Sequence, residues 1–373
     1  MNSEVLIVGG GVIGLSIARE LHKKGVREIM ILERGAVGKE ASYAAAGMLA
    51  PQAEADEADE FFHLCDESNR LYPQFAAELY DETGVDIELE RSGTLYAAFT
   101  GADAADIQRR FAWQRKAGLT VEHLSANEAR KIEPFISSDV REALSFPNDW
   151  QVDNRKLLVA LHRYAAVNQI EILENAEVKS LLTHGEKVMG AETINQKYFA
   201  SQVVFATGAW TSLIKTDDYV LPKVSPVRGQ MISFKTAKRL FSKVIYSPRG
   251  YLVPRLDGRI LAGATVEAVG FDKNITADGR DFLLENALEI APRLSNLPIA
   301  EQWAGLRPFA TDGLPILGAF PEIENLFVAT AHYRNGILLA PKTAKTLAGK
   351  IVGNVESKYL KVFSPRRFFT AKG

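Results

Sequence analysis

One cysteine, Cys65, stands in 373 residues. A single thiol closes no internal disulfide, and without a Cys/His cluster there is no zinc pattern, so no metal is expected. Charge of one sign is also missing. Lys and Arg number 44 against 46 Asp and Glu, a formal net charge of -2. That gives no electrostatic case for nucleic acid or for an anionic membrane surface. No apolar run approaches the length that spans a bilayer. The first strand-like run begins at Val5, which leaves no room for a signal peptide and makes cytoplasm the expected location. Internal repeats and low-complexity segments are absent. What remains, 47% hydrophobic and 24% charged, is an ordinary globular composition. The length allows two domains, or one large domain with insertions. Cys65 lies in an amphipathic helical pattern and is expected to face a core. The acidic stretch QAEADEADE, 52–60, is expected to be solvated, and the tail 366–373 is set apart from the fold.

The chemistry-bearing signal is VLIVGGGVIGLSIARELHKKGVREIMILERG, 5–35. Val5 to Val8 is an unbroken apolar run, as in a strand buried on both faces. Gly9, Gly11 and Gly14 then form G-x-G-x-x-G. The first permits a tight turn, the second lets backbone approach a pyrophosphate, and the third lets the helix pack on the strand. Ile13, Ile17, Ala18 and Leu21 follow at helical spacing, and Gly25 ends that helix. Ile29 to Leu32 reads as a second strand, with Glu33 at its end to accept hydrogen bonds from the hydroxyls of an adenosine ribose.

Later segments alternate in character. A helix and strand are read in DNRKLLVALHRYAAVNQIEIL, a strand meeting a glycine turn in QVVFATGAW, and another strand in NLFVAT. The last opens through AHYRNGILLAPK into a helix starting near Gly336. Its free N–H groups and positive dipole end suit an electron-rich partner. Between these lie strand-rich pieces at 84–144 and 226–304. A single glycine loop with nucleotide-like segments interleaved by a sheet favours FAD over a nicotinamide cofactor. The turn at Gly336 then sits at the flavin ring, its N–H groups facing the ring's C2 oxygen. The expected fold is α/β (α+β overall): a Rossmann-like FAD-binding domain from 1–83, 145–225 and 305–365, with an inserted, mostly antiparallel substrate domain from 84–144 and 226–304.

VGGGVIGLSIARELHKKG, ASYAAAGMLAP, FATGAW, WAGLRPFATDGLPILG and AHYRNGILLAP together resemble the D-amino-acid oxidase superfamily of FAD enzymes, and within it the glycine oxidases of the thiamine-biosynthesis type. The resemblance runs to about residue 350, and WAGLRP with RNGILLAP is its specific part. It implies that Val12, Ile13, Glu33 and Arg34 serve the adenosine half of FAD. Ala41, Ser42, Ala46, Gly47 and Met48 then line the pyrophosphate and ring, and Val178 meets the adenine through its backbone. His332, Tyr333, Arg334, Asn335, Gly336, Ile337 and Leu338 wrap the pyrimidine end. The substrate carboxylate falls to Arg307, whose planar fork suits bidentate binding, aided by Arg334 and Tyr251.

The implied reaction is oxidation of glycine, sarcosine, D-alanine or D-proline by hydride transfer to the flavin. Hydrolysis of the imine gives a 2-oxo acid and ammonia or amine, and dioxygen reoxidises the flavin to give hydrogen peroxide. No acid–base residue is required, so His332 is read as packing beside the ring. The resemblance further implies a homotetramer and hand-over of the glycine imine to a thiazole-forming enzyme. Two departures, Val266 and Arg249, are expected to alter the pocket. Sarcosine oxidase and D-amino acid dehydrogenase share the superfamily and stay open as alternatives. Many sarcosine oxidases hold flavin through a cysteine late in the chain, whereas Cys65 is early. FAD is therefore expected to be non-covalent: acid precipitation should release the yellow colour into the supernatant, and colour retained in the pellet would refute this.

Overall fold

The structure is a computed structural model that describes residues 2–216, 219–321 and 323–369. Asn2–Val8 lies between Lys197–Phe205 and Ile29–Leu32, parallel to both. Leu326–Thr330 and Glu171–Leu173 extend this parallel sheet on its two sides. Ile316–Ala319 closes one edge antiparallel. An antiparallel ladder of Val178–His184 and Lys187–Thr193 also joins Lys197–Phe205.

Strand alternation divides the core. Val5 and Ile7 pack with the helices Val12–Lys23, Asn154–Val167 and Gly336–Gly353, while Leu6 and Val8 pack toward the ladder. This is why Val5 to Val8 are all apolar: both faces of that part of the strand are covered. Cys65 is buried in the helix Glu60–Thr83, which packs on the outside of Gly336–Gly353.

The second sheet runs Ile299–Ala310, Val224–Lys235, Arg259–Gly263, Gly250–Pro254, Val244–Ser247, Thr94–Ala98, Glu142–Phe146, Glu122–Ser125. It is antiparallel except where Val244–Ser247 runs beside Thr94–Ala98. Alternation sorts this sheet too. Ile232, Phe234 and Leu252 face a core shared with the helix Ala277–Ile290, while Met231, Tyr251, Val253 and Trp303 face the nucleotide side. Val224–Lys235 and Ile299–Ala310 pair along nearly their whole lengths. The boundaries drawn at 226 and 305 therefore fall inside strands, and Arg307 belongs to this sheet. Composition alone cannot show a pairing between strands so far apart. The tail also differs from expectation: Arg367 pairs with Asp312 at 2.7 Å and Phe369 packs edge-on against Phe320. Residues 370–373 lie outside the described residues. Among the described residues, no helix is long and apolar enough to cross a membrane.

One helix is repaired by its neighbour. Gly336–Gly353 contains Pro341, which has no N–H to give the carbonyl of Ile337 four residues earlier. The buried Tyr72 hydroxyl donates to that carbonyl at 2.5 Å. Ser68 Oγ donates to the Leu338 carbonyl at 2.6 Å and accepts from the Lys342 N–H at 3.3 Å. The first turn of this helix is thus fixed by side chains from Glu60–Thr83. Tyr72→Phe should strand a buried carbonyl and cost roughly 1–3 kcal/mol. A urea titration should show a lower midpoint at unchanged slope, and a wild-type midpoint would count against this account.

Candidate functional site

A cavity of about 250 Å³ opens at the carboxyl ends of the parallel strands, the usual place for a ligand in such a sheet. The three motif glycines meet different demands. A Cβ on Gly9, at φ +111, would stand 2.3 Å from the Ala206 carbonyl, and one on Gly14 would stand 1.9 Å from that of Gly9. Gly11 lines the cavity, and a Cβ there would meet only Ser42 Oγ, at 3.3 Å. Gly11 caps Val12–Lys23 without any side-chain hydrogen bond. Ser42 Oγ takes the Val12 N–H at 3.1 Å, and Val12 and Ile13 both line the cavity.

Glu33 is 6% exposed. Its two oxygens accept from Gly10 N at 2.8 Å and Gly35 N at 2.9 Å. It therefore ties the glycine loop down as well as facing the cavity. Arg34 lies over the Trp210 ring at 4.3 Å. Ala41 and Val178 line the same cavity.

At the other end, strand Leu326–Thr330 turns into helix Gly336–Gly353 through two non-glycine residues of positive φ, Ala331 at 57° and Tyr333 at 46°. Such strain persists only where the surroundings enforce it. Here the Tyr333 N–H donates to the Pro308 carbonyl at 3.1 Å, tying the turn to the strand that carries Arg307. No side chain caps the helix at Asn335, and Gly336 and Ile337 line the cavity. Two helix starts whose own N-cap residues supply no side-chain hydrogen bond, one at each end, with an acid beside the glycine loop, fit a dinucleotide carrying an electron-rich ring. His332 is buried and contacts Thr343 Oγ1 at 3.1 Å. Burial depresses its conjugate acid to about 3, so it is neutral near pH 7.

A second cavity, about 80 Å³, adjoins the first and shares Ala41, Ala45, Tyr333, Arg334 and Ile337 with it. Ala46, Gly47, Met48 and Asn335 line this cavity. It brings Arg307, Arg334 and Tyr251 together. Strand register places Arg307, Gly305 and Gly229 on one face, and Arg307 lies against Gly229. A Cβ on Gly229 would stand 2.3 Å from the guanidinium. Arg307 Nη1 donates to the carbonyls of Thr265 at 3.0 Å and Arg228 at 3.4 Å. Among the described residues no carboxylate pairs with it. The buried Tyr251 hydroxyl has the Met231 sulfur at 3.3 Å. Arg334 differs: it pairs with Glu54 at 3.2 Å and donates to the Tyr246 hydroxyl at 2.6 Å. The Glu54 carboxylate holds it firmly charged, and burial pushes the Tyr246 hydroxyl up to about 12.

Several expectations need correcting. Leu338 does not line either cavity; its side chain is buried in the helix core, because the helical turn points it away from the N-terminal opening. Arg249 reaches away from the pocket to Asp103 and Glu289, both at 2.8 Å, and Val266 is 62% exposed. Neither shapes the pocket. The stretch 52–60 is not wholly solvated: Gln52 and Ala53 are buried and Glu54 enters the second cavity. Sequence reasoning missed Glu54, Tyr246, Met231 and Gly229. Only Gly229 carried a signal, a glycine inside the strand-like GQMISF.

A family model described as FAD dependent oxidoreductase matches residues 4–350. The glycine oxidase of Pseudomonas aeruginosa is 34% identical, over 95% of this chain and 96% of that protein. The crystal structure of glycine oxidase from Geobacillus kaustophilus superposes with a TM-score of 0.94 at 35% identity, covering 99% of this chain and 100% of that one. A bifunctional protein ThiO/ThiG of Synechocystis is 36% identical over 99% of this chain, which spans 54% of its length.

The cradle under Arg307 gives a direct test. Gly229→Ala should displace the guanidinium and weaken binding of acetate or glycolate by roughly tenfold or more, as expected for losing a charge-assisted contact. Carboxylate titrations followed by flavin absorbance would show it, and unchanged dissociation constants would overturn the packing argument.

Proposed function

The chain belongs to the FAD dependent oxidoreductase family, and from that premise we propose that it is a glycine oxidase that takes glycine and other small primary or secondary amino acids, with sarcosine, D-alanine and D-proline as candidates. The products are the imine or 2-oxo acid, ammonia or amine, and hydrogen peroxide. The observation that carries this reading is Arg307, a cation without a carboxylate partner among the described residues, facing a small cavity beside the Tyr251 hydroxyl.

FAD, when bound, supplies the two-electron acceptor and passes the electrons to dioxygen. The chain's residues hold the substrate. Glu33, Arg34 and the glycine loop would hold the adenosine end of FAD, and the starts of Val12–Lys23 and Gly336–Gly353 its charged and electron-rich groups. The Arg307 fork binds the substrate carboxylate through two N–H groups. The Tyr251 hydroxyl can donate to the same carboxylate. Small neighbours, Ala44, Ala46, Gly47 and Gly305, leave room for a compact amino acid. Glu54 is the one carboxylate lining this cavity, and Arg334 engages it. Neutral His332 lies on the other cavity. With the amine bound neutral no base is needed, and alignment of the Cα–H does the work of catalysis. The same reading takes the two sheets as FAD and substrate domains, the assembly as a homotetramer, and the location as cytoplasm. Imine transfer to a thiazole synthase is supported by the fused ThiO/ThiG relative.

Purified yellow protein should release peroxide with glycine, and sarcosine, D-alanine and D-proline complete the panel. Arg307→Ala should keep its flavin spectrum while kcat/KM for glycine falls by roughly 2–5 kcal/mol in transition-state terms. Arg307→Lys should recover only part, since it keeps the charge and loses the fork. Near-normal kcat/KM in Arg307→Ala would place the carboxylate elsewhere.

A further inference from the structure

The second cavity holds two guanidinium groups in opposite states. Arg307 bonds two backbone carbonyls beside the Tyr251 hydroxyl and, among the described residues, has no carboxylate partner, while Arg334 is paired with Glu54. Glu54 is held in place by a rigid frame. It ends the turn Pro51–Glu54, whose Gln52 and Ala53 N–H groups donate to the buried Asp149 carboxylate at 3.0 and 2.8 Å. The Gln52 side chain bonds Gln114 at 2.9 Å, and Arg110 donates to the Ala55 carbonyl at 2.7 Å. Glu54 and Asn335 also line a third cavity, about 280 Å³, that lies beyond the second. Glu54 and Asn335 are thus shared between the substrate pocket and a larger neighbouring cavity.

We propose that Glu54 sets the substrate range of this pocket by occupying Arg334 and presenting a carboxylate to any second anion. The proposal rests on the amino acid oxidase reading. With the first carboxylate on Arg307, a second one on the substrate side chain or on the nitrogen substituent meets Glu54. The Glu54–Arg334 pair is neutral overall, so a second carboxylate finds no free cation there and lies beside the Glu54 oxygens, and leaving a competitor's charge unpaired is an efficient way to gain specificity. Without the Glu54 charge, Arg334 becomes a second anion site on the wall of the same cavity. The class then admitted is amines bearing two carboxylates.

Two matched pairs isolate the second charge: sarcosine against iminodiacetate, and D-alanine against D-aspartate. In the wild-type protein the dianionic member should be the poorer substrate of each pair, chiefly through KM, and malonate should inhibit no better than acetate. Glu54→Gln keeps the shape and removes the charge. It should raise the kcat/KM ratio of iminodiacetate to sarcosine by roughly ten- to a hundredfold and make malonate the stronger inhibitor. Glu54→Asp should keep the wild-type preference. Adding Arg334→Gln to Glu54→Gln should abolish the gain. A wild-type protein that prefers the dianionic substrates overturns the proposal, whatever the variants do. So does a Glu54→Gln protein that oxidises glycine with an unchanged ratio. A wild-type protein that releases no peroxide with any member of the glycine panel instead overturns the proposed function.

Discussion

A buried arginine just past the end of a strand of the second sheet ties that sheet to the other half of the molecule. Arg255 follows the strand Gly250–Pro254 and is 2% exposed. It donates to the carbonyls of Ala46 at 2.6 Å and Val152 at 2.7 Å, and to the side chains of Gln151 at 3.1 Å and Asn154 at 3.2 Å. Burial lowers its pKa to about 10, so it stays charged at neutral pH. Both terminal nitrogens of this buried cation are engaged, while Nε has no partner among the described residues, and the four acceptors tie the segments that carry them to the second sheet. One of them, Ala46, lines the smaller cavity. The backbone of that lining residue is therefore anchored by one desolvated charge.

Charge compensation gives the two pocket arginines distinct roles. Arg334 has Glu54 and Tyr246 and needs nothing further. Arg307 bonds backbone carbonyls and, among the described residues, has no carboxylate partner, which leaves its charge open to the proposed substrate carboxylate. Gly229 makes this possible by leaving the guanidinium space on the neighbouring strand. The strained turn at Ala331 and Tyr333 then couples this strand to the helix start that faces the larger cavity, through Tyr333 N–H and the Pro308 carbonyl. The two adjoining cavities thus share one short stretch of backbone.

The sequence by itself determined the nucleotide unit. Its strand, glycine loop, helix, second strand and Glu33 lie within 5–35, so local periodicity and local glycine requirements suffice to read them. The helix start at Gly336 was legible for the same reason. Motif likeness also singled out Arg307, Arg334 and Tyr251, which line one cavity. Tertiary structure decided what those residues touch. Gly229 lies under Arg307 because two strands pair over a long sequence separation. Glu54 leaves an acidic stretch and enters the pocket because Asp149, almost a hundred positions later, caps the turn that carries it. Arg249 leaves the pocket because Asp103 and Glu289 draw it away. Charge partners of this kind are set by packing between distant segments, and no periodicity along the chain records them.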